Sequence, residues 1–200
     1  SGVVYDYLPK DNYNISDDIE NADAFLVRSA DCHSIEFPEN LAAIARAGAG
    51  VNNIPIDKCT KEGIVVFNTP GANANGVKEL VLCGMLIASR NVIEASKWAE
   101  TLKGEGDAVG KLVEKGKKQF VGPELKGKTI GVIGLGAIGI LVANAAAAIG
   151  MDVIGYDPYL SVDNAWTIST RAKRAQKLDE LLENSDYITI HVPFMESTKN

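Results

Sequence analysis

Two hydrophobic rhythms alternate along the chain. Short apolar runs, rich in β-branched residues and bounded by polar or glycine-containing stretches, predict strands at 25–27, 64–67, 130–133, 153–156 and 187–191. Their near-continuous apolar character suits strands buried in a parallel sheet. Between them lie stretches with helical spacing. Residues 77–102 carry Leu80, Val81, Met85, Leu86, Val92, Ile93 and Trp98, and predict one long helix that links two domains. Residues 137–149 are small and apolar and stop at Gly150, a natural helix end. A further helix is expected over 177–182, and Ser161 is placed to cap a short one. Another short helix begins at Ile56 and stops at Gly63. Period alone leaves 41–47 open between helix and strand. Residues 1–20 are weakly patterned, with a turn around Pro9, Asp11 and Asn12 and a short strand over 13–15. Residues 103–127 form a lysine- and glycine-rich connection with a helical turn around Leu112 and Val113.

This order of elements predicts the α/β class, with doubly wound parallel sheets. If 130–133, 153–156 and 187–191 are the successive strands of one half of such a sheet, 130–133 lies at an edge. An apolar edge invites aggregation, so the pattern predicts that the natural polypeptide continues beyond Asn200.

The junction after 130–133 carries the first chemistry. Gly134, Gly136 and Gly139 supply G-x-G-x-x-G where a strand should turn into a helix. The first glycine suits the tight turn, the second lets backbone approach a pyrophosphate, and the third lets helix and strand pack closely. The helix N-terminus offers N–H groups without intrahelical partners and the positive end of a dipole. Asp157 closes the next strand, where a carboxylate can accept hydrogen bonds from both ribose hydroxyls of adenosine. Strand, glycines, helix and acid together predict a dinucleotide site. The charge of Asp157 would repel a ribose 2′-phosphate, so the expected cofactor is NAD.

Composition narrows the partners. Net charge is −6 with a pI of about 5.0, which argues against nucleic acid and anionic membrane surfaces. No apolar run approaches the roughly 20 residues of a membrane span. Cys32, Cys59 and Cys83 are well separated and fit reduced thiols in a cytoplasmic protein better than a disulfide framework or a zinc site. His33 and His191 have no acid–histidine spacing that suggests a metal.

The motifs resemble the D-2-hydroxyacid dehydrogenases over nearly the whole chain. The matching pieces are 27–29, 47–54, 67–70, 77–80, 125–131, 134–139, His191-Val192-Pro193 and 197–200, in the family's order. The resemblance implies a flavodoxin-like substrate domain over 1–95 and a Rossmann NAD-binding domain over 96–200. It implies that the backbone amides of Gly50 and Val51 hold the substrate carboxylate, and that Arg28, Ser29 and Asn73 hold a phosphate on the substrate. Many members without a phosphorylated substrate lack an arginine at the position of Arg28, so D-3-phosphoglycerate heads the expected substrates. Val77, Gly134, Gly136, Ala137, Ile138, Gly139, Asp157, His191, Val192, Pro193 and Thr198 are implied to contact NAD. His191 is then a wall of the cofactor site, not a catalytic base. The family's catalytic arginine, glutamate and histidine match no residue up to Asn200, so this chain alone is expected to be inactive. Lys78 departs from the family, where alanine is common. Members are usually homodimers through the NAD domain. Transcriptional corepressors share the fold, so a non-catalytic NAD sensor is the alternative from another class.

Overall fold

The computed structural model describes residues 4–193 and 198–199. The chain divides into two compact units, Ser1–Pro70 and Gly71–Asn200.

The first unit contains α1 (Val4–Tyr7), β1 (Ala24–Val27), β2 (Ala43–Arg46), α2 (Ile56–Glu62) and β3 (Val65–Phe67). The strands form a parallel sheet in the order β1-β2-β3. The ambiguous 41–47 stretch is therefore strand. Pairing on both sides decides it, and Ile44 at its centre is fully buried. Phe25, Cys32, Leu41, Ile54, Cys59 and Ile64 complete the core around it. Two expectations fail. Residues 13–15 form no strand. Among the described residues the 64–67 run is an edge strand paired only to β2, so Val65 and Phe67 are exposed instead of buried on both faces.

The second unit runs α3 (Ala74–Arg90), α4 (Val92–Glu100), α5 (Val109–Gly116), β4 (Thr129–Ile133), α6 (Ala137–Ala148), β5 (Asp152–Tyr156), α7 (Val162–Thr167), β6 (Ala172–Arg174), α8 (Leu178–Glu183) and β7 (Tyr187–Ile190). Short 3-10 turns flank α5. The long helix expected over 77–102 is two helices. Asn91 separates them in the left-handed conformation at φ 49°, which asparagine tolerates better than most residues. The α3 helix packs on α6 through Val81, Leu82 and Met85, which joins it to the second compact unit. Ser161 caps α7 as expected, its hydroxyl accepting from the Asn164 N–H at 3.2 Å.

The second sheet is parallel in the order β6-β5-β4-β7, the 3-2-1-4 order of a doubly wound fold. This corrects the edge argument. The third strand is β6, and 187–190 is the fourth, lying on the other side of β4. That central strand is paired on both sides, with Ile130 and Val132 fully buried. Burying such side chains stabilises the unit by about 1.5–3 kcal/mol each. The core continues through Leu135, Val142, Ala143, Ala146 and Val153. All small residues of α6 on this face let it lie close to the sheet.

Candidate functional site: a glycine loop at the carboxyl edge

At the end of β4 the backbone turns sharply. Gly134 has φ +89°, its N–H donates to the Tyr156 carbonyl at 2.9 Å, and a Cβ there would sit 2.7 Å from the His191 carbonyl oxygen. Only glycine suits both constraints. At Gly139 a Cβ would come within 1.9 Å of the Gly134 carbonyl, so α6 approaches the loop by virtue of that glycine. Gly136 differs. It precedes α6 with ordinary φ, and a Cβ there would meet no protein atom within 4 Å. Its missing side chain leaves open space, not packing, in front of the helix N-terminus. The first N–H groups of α6 have no intrahelical acceptor and face an anion site by the geometry of a helix start. The residues present therefore fit a dinucleotide pyrophosphate.

Asp157 is half-buried and both of its oxygens are engaged. Oδ2 accepts from the Leu135 N–H at 2.8 Å and Oδ1 from the Tyr159 N–H at 2.8 Å. The carboxylate thus fixes the glycine loop as well as standing at the strand end. Each oxygen keeps lone-pair capacity for a further donor. This bond between Leu135 and Asp157 is one that sequence reasoning missed.

Distant segments meet the loop. The His191 N–H donates to the Ile133 carbonyl at 2.8 Å, and Val192 packs within 2.9 Å of where a Gly134 Cβ would lie. His191 Nε2 and Thr189 Oγ1 are 2.9 Å apart, and burial pushes the imidazole pKa down. Pro193 is exposed, and its carbonyl accepts from Thr198 Oγ1 at 2.6 Å. Ser197 and Asn200 lie outside the described residues. Ala137 opens α6, and a Cβ on Gly71 would lie 3.6 Å from its methyl, which brings the start of α3 and half-buried Val77 toward the same end of α6. Ile138 packs against the core. Asn73 is exposed and precedes α3 without a side-chain cap. The Lys78 ammonium donates to Asn75 Oδ1 at 2.6 Å.

In the first unit, Arg28 and Ser29 are exposed immediately after β1, and Gly50 and Val51 follow the adjacent parallel strand β2. Both pairs therefore leave the same carboxyl edge, where ligands collect in open α/β sheets. Among the described residues Arg28 forms no ion pair, and Asp31 accepts from the His33 N–H instead. The N–H groups of Gly50 and Val51 have no acceptor among the described residues. A residue overlooked in the sequence holds this edge together. Arg46 Nε donates to the Arg28 carbonyl at 3.2 Å, and its Nη1 donates to the Gly50 carbonyl. Asn68 Nδ2 adds a bond to the Ala49 carbonyl at 2.7 Å. The signal available was a charged residue ending an apolar strand just before glycines. Among the described residues no group of three potential metal ligands occurs.

Residues 82–200 match the family model described as D-isomer specific 2-hydroxyacid dehydrogenase, NAD binding domain. The chain belongs to this family. Within it, the chain is 40% identical over 185 residues to the D-3-phosphoglycerate dehydrogenase of Methanocaldococcus jannaschii, covering 91% of this chain and 33% of the relative. It is 39% identical over 201 residues to the hydroxypyruvate reductase of Thermotoga maritima, covering 99% of this chain and 60% of the relative. The fold is similar to that of NAD+-bound 3-phosphoglycerate dehydrogenase from Entamoeba histolytica, with a TM-score of 0.65, 33% identity, and coverage of 94% of this chain and 53% of that one. The chain thus spans between a third and three fifths of the length of these dehydrogenases. The family model and the NAD-bound neighbour agree with the glycine loop: the second unit is a Rossmann-type NAD-binding domain.

Proposed function

We propose that this chain serves the NAD-dependent oxidation of D-3-phosphoglycerate to 3-phosphohydroxypyruvate, a cytoplasmic step of serine biosynthesis. The observation that carries this reading is that, among the described residues, the Arg28 guanidinium forms no ion pair and the Gly50 and Val51 N–H groups on the same sheet edge have no acceptor. A substrate with a carboxylate at one end and a phosphate at the other matches that pair of donors. Consecutive backbone N–H groups suit a carboxylate, and the fork of an arginine suits phosphate. Ser29 adds a hydroxyl donor beside Arg28.

In the second unit we assign the pyrophosphate of NAD to the space before Gly136 and the first turn of α6, with Ala137 and Ile138 supplying its residues. Asp157 accepts from the adenosine ribose hydroxyls, and Val77, His191, Val192, Pro193 and Thr198 line the remainder. NAD, when bound, takes up the hydride at its nicotinamide. The residues of this chain bind and orient. None is assigned the proton transfer, since burial disfavours the charged form of His191 and its Nε2 is engaged with Thr189. Assembly as a homodimer through the NAD domain accompanies this reading.

One observation favours a second substrate within the class. The hydroxypyruvate reductase relative is as similar to this chain, at 39% identity, as the phosphoglycerate dehydrogenase relative, at 40%. Arg28→Ala in the full-length natural protein separates the two. It should raise the KM for 3-phosphoglycerate at least about tenfold, the cost of one charge-assisted hydrogen bond, and leave D-glycerate use within about twofold. Equal losses on both would remove the phosphate assignment. A protein that binds NAD yet turns over neither substrate would be a sensor.

A further inference from the structure

A cavity of about 430 Å3 opens beside Asp157, and its lining includes a cation that the NAD reading does not use. Its walls include Asp157, Pro158, Leu160, Ser161, Trp166 and Arg174. Arg174 ends β6, and its backbone is in register with Gly155 of β5, two residues before Asp157. Both side chains therefore rise from the same carboxyl edge on neighbouring strands. Among the described residues the Arg174 guanidinium has no hydrogen bond and no ion pair. Among the described residues Asp157 forms no ion pair with it; each carboxylate oxygen accepts one backbone N–H, from Leu135 and from Tyr159, and keeps capacity for a further donor. Two opposite charges thus line one cavity and are each left to act on what enters.

We propose that this cavity is a latent site for a phosphate on the 2′ position of the adenosine ribose, with Arg174 as its ligand and Asp157 as the group that closes it. The inference rests on the placement of the adenosine ribose at Asp157. A carboxylate there attracts ribose hydroxyls and repels a dianion, whereas a nearby arginine is the usual means of holding the 2′-phosphate of NADP. Here one chain carries both devices. Arg174 is a point of fork-like, permanently charged donors, and Ser161 adds a hydroxyl at the cavity wall. While Asp157 is present its negative charge offsets the arginine, and the unphosphorylated cofactor is preferred. Once that charge is gone, the arginine is already in place and no second substitution is needed. Cofactor choice in this domain is then set by the balance between two residues on two strands, and the arginine belongs to the specificity apparatus.

The test is direct binding, measured by titration calorimetry on the 200-residue chain, with 5′-AMP and adenosine 2′,5′-bisphosphate as probes. Wild type should bind 5′-AMP more tightly than the bisphosphate. Asp157→Ser should reverse that preference, shifting the affinity ratio at least about tenfold toward the bisphosphate. Adding Arg174→Met should abolish the shift, while Arg174→Met alone should leave 5′-AMP affinity within about twofold. If removal of Asp157 loosens the glycine loop and 5′-AMP binding is lost, Asp157→Asn gives the same comparison, since its amide oxygen still accepts from a backbone N–H. A double variant that retains the shift, or an Asp157 variant that binds 5′-AMP but shows no shift, overturns the proposal. Failure of wild type to bind 5′-AMP at all would instead overturn the placement of the ribose.

Discussion

Gly136→Ala is expected to weaken NAD binding while leaving the fold nearly as stable. The added methyl meets no protein atom within 4 Å, and the backbone at Gly136 has negative φ, so neither packing nor conformation opposes it. Replacing glycine by alanine before a helix costs about 1 kcal/mol, a fall of about 2–4 °C in Tm for a chain of this size. The methyl does enter the space in front of the α6 N–H groups. Losing one charge-assisted hydrogen bond to pyrophosphate costs about 1.5–3 kcal/mol, which weakens NAD about ten- to a hundredfold. Gly139→Ala is the control with the opposite profile. Its methyl would lie 1.9 Å from the Gly134 carbonyl oxygen, a backbone atom that cannot swing aside. Overpacking of this kind costs about 3 kcal/mol, or about 6–12 °C. Calorimetric titration with NAD and thermal melts on the same samples report both quantities. Unchanged NAD affinity in Gly136→Ala, or a loss of stability equal to that of Gly139→Ala, would refute the placement of the pyrophosphate.

Two further predictions concern the frame around the site. The Thr129 N–H, at 2.8 Å, and the Lys128 ammonium hold the Asp186 carboxyl below the usual carboxylate range. A pKa lowered by folding contributes stability that is present above the unfolded value of about 3.9 and is lost as pH falls through the folded value; Tm of wild type should therefore drop more steeply below about pH 4 than that of Asp186→Asn, and parallel curves would contradict this. Ser89 is buried, donates to the Met85 carbonyl at 2.7 Å and lies 2.6 Å from the Tyr187 hydroxyl, so it joins α3 to β7. Ser89→Ala should cost about 1–3 kcal/mol in denaturant unfolding by stranding that hydroxyl, and Tyr187→Phe in the same background should restore part of it.

The glycine loop and Asp157 were legible because a βαβ unit places its working residues at short, regular sequence distances. The bond from Leu135 to Asp157 was not, since both the acid and the amide are ordinary until the loop folds over the strand end. β6 escaped notice because Ala-Lys-Arg has no apolar rhythm, as befits a short edge strand with its two charged residues exposed. Without that strand in the count the sequence pattern puts β4 at an edge, whereas it lies inside the sheet between β5 and β7. The break between α3 and α4 turns on one left-handed residue, Asn91, whose composition signal is slight. Arg46 was invisible for another reason, because its role depends on the glycine loop returning over the end of β2 to meet its guanidinium.

The most direct test of the proposed reaction is NADH consumption by the full-length natural protein with 3-phosphohydroxypyruvate and with hydroxypyruvate, measured side by side. Turnover of both is expected, with kcat/KM for the phosphorylated substrate at least about tenfold higher, the equivalent of one charge-assisted contact from Arg28. A preference for hydroxypyruvate, or binding of NADH without turnover of either, would contradict it.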